Sequence, residues 1–342
     1  MKRILMYFLV MPFLFMACQQ ESVQGNEQEL LDAKKLVQPI TKINLSKDLK
    51  SSDLRKRGKS GDVVQEFMSE FNTSLSKFGL MLEKIETYGA ESSGRTVYFK
   101  NVGNKQLGSD FAPNDPNNVG GVMVPYWIDD SELGTSSGMS PYETFMGITN
   151  SMDTWNAVSC SQGLEIPLLG VTEGFDVGLV QYFAGFGGYQ GYIPGTILFA
   201  GILPPDFFEA VLGEGAGNGT IGVTFTYIWV DDDTGEPADI DRNGKNDVAI
   251  KEIYINDNFN YQDAPNDGLD PSFVIDFQTI VLHEAGHGLS QGHFGTAFSD
   301  GRGGLHFAPH ALMNAGYSVG RRTISGTDEA GHCSNWGSWP ME

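Results

Sequence analysis

The stretch that decides the reading is His283-Glu284-Ala285-Gly286-His287-Gly288-Leu289-Ser290-Gln291-Gly292-His293. His283 and His287 are four residues apart, so on a helix they project from one face and can reach one ion. Glu284 follows directly and can reach an open coordination position beside them. His293 lies six residues beyond His287, so the chain must turn after about Gly288 to bring that imidazole back. Gly286, Gly288 and Gly292 make a poor isolated helix but a good site for a tight turn. Three histidines with an open position are the ligand set of a catalytic zinc ion. A structural site takes a fourth protein ligand, usually Cys, and no Cys lies nearby.

Outward from this stretch, the pattern is strand, helix, several strands, helix, irregular tail, which is an α+β arrangement. The segment 121–128 (GVMVPYWI) reads as a strand and 141–158 as a helix with Phe145, Ile148, Met152 and Trp155 on one side. Segments 178–183, 196–203, 220–230 and 250–256 read as strands, and 273–291 as helical. Upstream, 62–88 reads as one helix. Val64, Phe67, Phe71, Leu75, Phe78, Leu82 and Ile85 recur at spacings of three and four, between Asp62 as cap and Gly89 as stop.

A second cation motif precedes the last strand. Asp239-Ile240-Asp241-Arg242-Asn243-Gly244-Lys245-Asn246-Asp247 matches the start of a calcium loop. Side-chain oxygens of Asp239, Asp241 and Asn243 alternate, Gly244 permits the sharp turn, and the Lys245 carbonyl and Asp247 add ligands. Ile250 stands where the usual Glu would be, with Glu252 two residues on. No helices flank the loop, so the expectation is a free-standing calcium loop rather than an EF-hand. An Asx-rich hairpin turn is the alternative.

The chain of 342 residues is acidic, but unevenly so. Residues 1–116 hold 16 Lys+Arg against 14 Asp+Glu, whereas residues 117–342 hold 6 against 29. No basic patch is available for phosphates, so nucleic acid is not an expected partner. Lys2 and Arg3 precede an apolar run that ends Leu14-Phe15-Met16-Ala17-Cys18. This has the form of a secretory signal over 1–17, and it resembles a bacterial lipoprotein signal in which Cys18 carries the lipid. The expected product is exported and held by its lipid at the outer membrane or surface of a Gram-negative cell, with 18–60 as a tether. Cys160 and Cys333 are then left to pair as a disulfide or to remain free thiols. The organisation expected is 61–116 as a helical N-terminal segment, a candidate pro-segment, and 117–342 as the main domain.

The zinc stretch, followed by Ala311-Leu312-Met313-Asn314, resembles the metzincin metallopeptidases, and among them the matrixins. The resemblance extends over about 120–338, through VPYWID, TWNAVSC, Ile253-Tyr254-Ile255-Asn256-Asp257, and Asp328 through Gly337. It implies a metzincin-like catalytic domain with a mixed twisted sheet, a zinc-site helix, a Met-turn and a C-terminal helix. It also implies His283, His287 and His293 as zinc ligands, Glu284 as general base, and Met313 as a floor beneath the metal. Tyr317 would stabilise the transition state or line the specificity pocket. The strand 250–256 would sit at a sheet edge and bind an extended peptide. The activity implied is that of a monomeric endopeptidase on protein or peptide substrates, with calcium support. A catalytically silent binding or adhesion lipoprotein on the same scaffold is the alternative.

Two departures from the family pattern bear on the site. Ser290 stands where the family has Gly, so either Ser290 takes a strained backbone turn or Gly288 and Gly292 take the bend. The N-terminal segment also lacks the Cys that keeps animal matrixins latent, which leaves Asp110 or Asp115 as substitutes.

Overall fold

The computed structural model describes residues 38–39, 62–90, 93–100, 108–231, 233–264, 274–299, 305–318, 320–324 and 326–340. The expected signal, Cys18, and all of the tether except 38–39 lie outside them. Among the described residues no helix is long and apolar enough to cross a membrane.

The N-terminal segment departs from the expected single helix. Helix α1 spans Asp62–Leu75, and Gly79, in the left-handed region at φ 64°, closes the short turn after it. The chain then runs as strand β1, Leu80–Gly89, not as helix. A register irregularity between Leu82 and Lys84 inserts Glu83 into the ladder. It puts Leu80, Leu82 and Ile85 on one buried face. A bulge of this kind breaks strand alternation and imitates helical spacing over a few residues.

Strand β2 (Thr96–Tyr98) pairs back on β1. Next come β3 (Ser109–Asp110), β4 (Tyr126–Ile128), helix α2 (Pro141–Asn156) and β5 (Leu168–Val171). Ser140 and Glu143 form a reciprocal capping box at the start of α2. The segment expected as a strand at 178–183 is instead the short helix α3, Leu179–Ala184. A brief apolar run buried on all sides has no period to distinguish the two. Strand β6 (Thr196–Leu203), helix α4 (Pro205–Leu212), β7 (Thr220–Trp229) and β8 (Asn246–Asn256) come after it, then α5 (Phe277–Gly288) and α6 (Thr327–Trp336).

The strands form one mixed sheet in the order β2-β1-β7-β8-β6-β4-β5, with β3 parallel to the start of β8. Strands β1, β7 and β8 run antiparallel to their neighbours in turn, and β8, β6, β4 and β5 are mutually parallel. Two expectations change here. Strand β8 is interior, bonded to β7 on one side and β6 on the other, so it is not an edge open to a peptide. And β1 and β2 share the sheet of the later strands, so the sheet crosses the compositional break near 106–120.

Both faces of the sheet are covered. On one face α2 and α5 pack through Ile148, Met152, Trp155, Ile280 and Val281. On the other, α1, α3 and α4 contribute Phe67, Phe71, Phe183, Phe207 and Phe208. A sheet buried on both faces gives strands that read as nearly continuous apolar runs, as β6 does. Cys160, just after α2, forms a disulfide with Cys333 in α6, 173 residues away.

Candidate metal centre

Helix α5 is set at both ends by side chains and turn chemistry. Asp276 caps its start, accepting from the Thr279 amide at 3.2 Å, and is itself held by Arg322. At the other end the Gln291 amide donates to the Gly286 carbonyl and the Ser290 amide to the His287 carbonyl, each at 2.9 Å. Those two bonds define a Schellman cap, whose turning residue must be left-handed. Ser290 is that residue, at φ 62°, and neither Gly288 nor Gly292 takes the left-handed bend. The cap reverses the chain so that residues 291–293 fold back toward the two helical histidines.

The three imidazoles meet. One nitrogen from each of His283, His287 and His293 lies within 4.8 Å of the others. His283 Nδ1 is 2.8 Å from the Leu312 carbonyl and His287 Nδ1 is 2.7 Å from the Gln291 carbonyl, so both Nδ1 atoms carry the proton and donate. Their Nε2 lone pairs are left pointing inward. His287 Nε2 stands 3.1 Å from His293 Nε2, and His283 Nε2 is buried with no hydrogen-bond partner. At that distance the two nitrogens either share a proton as a hydrogen bond or hold a cation between them. Tetrahedral zinc, with Zn–N near 2.0–2.1 Å, sets ligand nitrogens about 3.3 Å apart. Burial holds all three imidazoles neutral, pulling His293 down to about 4 and the other two well below the usual histidine range. Neutral imidazole is the form that ligates. The donor set and its geometry fit zinc.

Glu284 sits beside the triad, fully buried. Its Oε2 accepts from Thr224 Oγ1 at 2.6 Å, and its Oε1 has no partner. Burial raises its pKa well above the carboxylate range, with the charge on Glu86 adding to the effect and the Thr224 bond opposing it. Gly222 of β7 makes the room: a Cβ there would stand 2.6 Å from Glu284 Oε1.

The turn at Met313 packs directly under the helix. Asp328 accepts from the Leu312 and Met313 amides at 2.8 and 3.0 Å, and Asn314 Oδ1 accepts from the Ala311 amide at 2.8 Å. A Cβ at Gly286 would collide with Met313 Sδ and crowd Trp155. Tyr317 turns its hydroxyl to the Asp276 amide at 3.1 Å, at the opposite end of α5 from His287. It does not point that hydroxyl at the histidines.

Several side chains at the site come from β1, which the helical spacing of 62–88 hides, and from β2, for which no element is expected from the sequence. The Tyr88 ring stacks on His283 with centroids 3.7 Å apart and planes 6° from parallel. Glu86 Oε1 is 3.4 Å from His287 Nδ1 and its other oxygen is 3.0 Å from Lys84 Nζ. Thr96 Oγ1 is 3.3 Å from His293 Nδ1. Lys251 of β8, fully buried, donates to the His287 carbonyl at 3.0 Å. Burial, with Lys84 alongside, lowers that lysine to about 7.

The acidic loop between β7 and β8 gathers separately. Carboxylate oxygens of Asp239, Asp241 and Asp247 lie within 4.8 Å of one another. Asp239 Oδ1 and Asp247 Oδ1 are buried without a hydrogen-bond partner. Burial, with the charges of Asp115, Asp241 and Asp239, raises Asp247 to about 7. Asn243 Oδ1 accepts from the Lys245 amide, and Asn243 Nδ2 and Lys245 Nζ both turn to Asp110. Asp110 therefore belongs to this loop and not to the histidines, and Asp115 caps the Asn117 amide. Glu252 lies away from the loop, accepting from the Leu179 amide and the Tyr227 hydroxyl. Asp232 falls outside the described residues.

The other histidines have local roles. His332 is bonded to Ser161, His310 lies against Ser318 and Arg321, and His306 stacks on Phe298. No known protein-family model matches the chain, and none of the curated proteins compared with it matches either.

Proposed function

We propose that this chain is a zinc-dependent endopeptidase of the metzincin type. The observation that carries the reading is the convergence of three neutral, inward-facing histidines on one point with Glu284 buried beside it. A bound zinc ion would supply an acidified water and a Lewis acid for the scissile carbonyl. In this reading Glu284 accepts a proton from a group at that point and returns it to the leaving amine, for which it must be ionised, as a neighbouring cation would favour. Thr224 fixes the carboxylate's orientation, Gly222 gives it space, and the Schellman cap holds His293 in reach.

The acidic loop is read as a calcium site, because two buried carboxylate oxygens there are otherwise unpaired. Export, a lipid anchor at Cys18 and action as a monomer on protein or peptide substrates complete the reading. Zinc should bind in equimolar amount, and cleavage of a protein substrate should disappear with a chelator. Glu284→Gln should keep zinc and lose about 10²-fold or more in turnover. Failure to bind zinc, or undiminished cleavage by the Gln variant, refutes the assignment. Closure of the site over Glu284 is the one observation favouring a catalytically silent, calcium-stabilised binding or adhesion module, which predicts zinc binding without cleavage.

A further inference from the structure

The end of β1 is threaded over the histidines and bonded through its backbone on both sides. On one side Tyr88 pairs with Gly222 of β7, and the Ala90 amide donates to the Gly219 carbonyl at 2.9 Å. On the other side the Gly89 amide donates to the Ala315 carbonyl at 3.0 Å, and the Tyr317 amide donates to the Gly89 carbonyl at 2.9 Å. Gly89 and Gly316 form a parallel bridge. Residues 88–90 therefore fill a slot one extended chain wide, walled by β7 and by 315–317. A backbone slot of this kind binds by strand addition, and it is indifferent to whether its occupant comes in cis or in trans.

The occupant also closes the site. Tyr88 is 3% exposed and lies face-on against His283, while Thr96 reaches His293. His283, His287 and Glu284 have no exposed surface. A peptide carbonyl cannot approach the point shared by the histidines and Glu284 while this segment is in place. The first half of β1 is a different matter, since Leu80, Leu82 and Ile85 are anchored in the core beneath α1. The ladder is irregular between Tyr88 and Gly89, where the anchored half gives way to the slot.

We propose that residues 88–90, with 93–96 beside them, are a built-in plug: the folded chain lays the main chain of 88–90 in the slot over the histidines, and the site admits an extended peptide only when these residues swing out while the rest of β1 stays in the sheet. The proposal rests on the peptidase reading for its purpose but not for its test. Opening requires the loss of a few backbone bonds and one ring stack, which is the scale of a local opening and not of unfolding.

The test is histidine accessibility in the metal-free full chain, read by diethyl pyrocarbonate labelling and mass spectrometry of each histidine peptide. In the unaltered chain His283 should label at least about tenfold more slowly than exposed His310, because reaction there waits on local opening. Tyr88→Ala should raise His283 and His293 labelling by about tenfold or more and leave buried His332 protected, whereas Tyr88→Phe should match the parent. Gly94→Ala is the second variant. Its Cβ would collide with the Thr87 and Ala315 carbonyls and pry the segment from the slot wall without touching the core, so it should give the same pattern. Should Tyr88→Ala expose His332 by unfolding, the Gly94 variant decides. Labelling of His283 in the parent as fast as His310, or protection unchanged in the folded variants, overturns the plug. Peptide cleavage by the zinc-loaded proteins separates the two ideas. Opened histidines with no cleavage sink the peptidase reading alone. Equal cleavage by parent and variants sinks the plug alone.

Discussion

Ser290→Gly should stabilise the protein, and the structure sets the size of the effect. Ser290 holds φ 62° because the cap of α5 needs a left-handed residue, and a side chain in that region costs about 1–2 kcal/mol. Glycine would remove that cost but give back about 0.5–1 kcal/mol through the greater freedom of the unfolded chain. The Ser290 hydroxyl is also buried with no hydrogen-bond partner, so its deletion removes a desolvated group and no bond. The net gain is about 1 kcal/mol, or about 1–2 °C in Tm for a chain of this size. Thermal unfolding monitored by circular dichroism measures it. Ser290→Ala is the control, because it deletes the hydroxyl and keeps the strain, so it should recover less than the Gly variant. Zinc affinity should be unchanged in both, since the cap bonds that return His293 to the site come from the backbone. A Gly variant no more stable than the parent, or an Ala variant equal to it, refutes the claim that the backbone turn stores the strain.

The same geometry sets three further outcomes. Asp247 is raised to about 7 by burial and its acidic neighbours, so between its unfolded value near 4 and about 7 the native state binds more protons, and stability falls as pH rises through that window. Calcium added at neutral pH should raise Tm, and Asp247→Asn should abolish both the calcium effect and that share of the pH slope; a calcium-independent Tm in the parent would count against the site. Replacing Cys160 and Cys333 together by Ser should cost about 2–5 kcal/mol in denaturant unfolding, because the bridge restrains a 173-residue separation, and an unchanged midpoint would show that it contributes nothing. Gly222→Ala puts a methyl group 2.6 Å from the Glu284 carboxylate. It should lower turnover while leaving zinc affinity intact, and loss of zinc instead would mean that Gly222 supports the ligands and not the base.

Local chemistry is legible in the sequence. The spacing of His283 and His287 needs only one helix, and the return of His293 needs only one capped turn, so both can be read from eleven residues. The acidic loop is likewise a short segment whose own side chains converge. Which residue takes the left-handed turn, Ser290 or a flanking glycine, is decided only by the cap bonds. Pairings between distant segments are not legible. Nothing in residues 250–256 tells whether one neighbour or two will bond to them, and the two-sided pairing of β8 is what removes its role as an edge.

The segment 62–88 matters most, because its helical spacing conceals the site's cover. Leu82 and Ile85 are three apart, as on a helix, only because Glu83 is bulged out of the ladder with β7. The same bulge fixes the phase of the rest of the strand. Past it, Lys84, Glu86 and Tyr88 alternate onto the face that meets α5, which is how Glu86 reaches His287 and Tyr88 reaches His283. Were Glu83 paired in regular alternation instead of bulged, these three side chains would share the face of Leu80 and Leu82 and point to the opposite core. One bulge thus accounts both for the false helical signal and for the closure over the metal centre. Deleting Glu83 should therefore make the ladder regular with Lys84 still opposite Thr226, so Tyr88 should stay on His283 and His283 should stay protected from labelling.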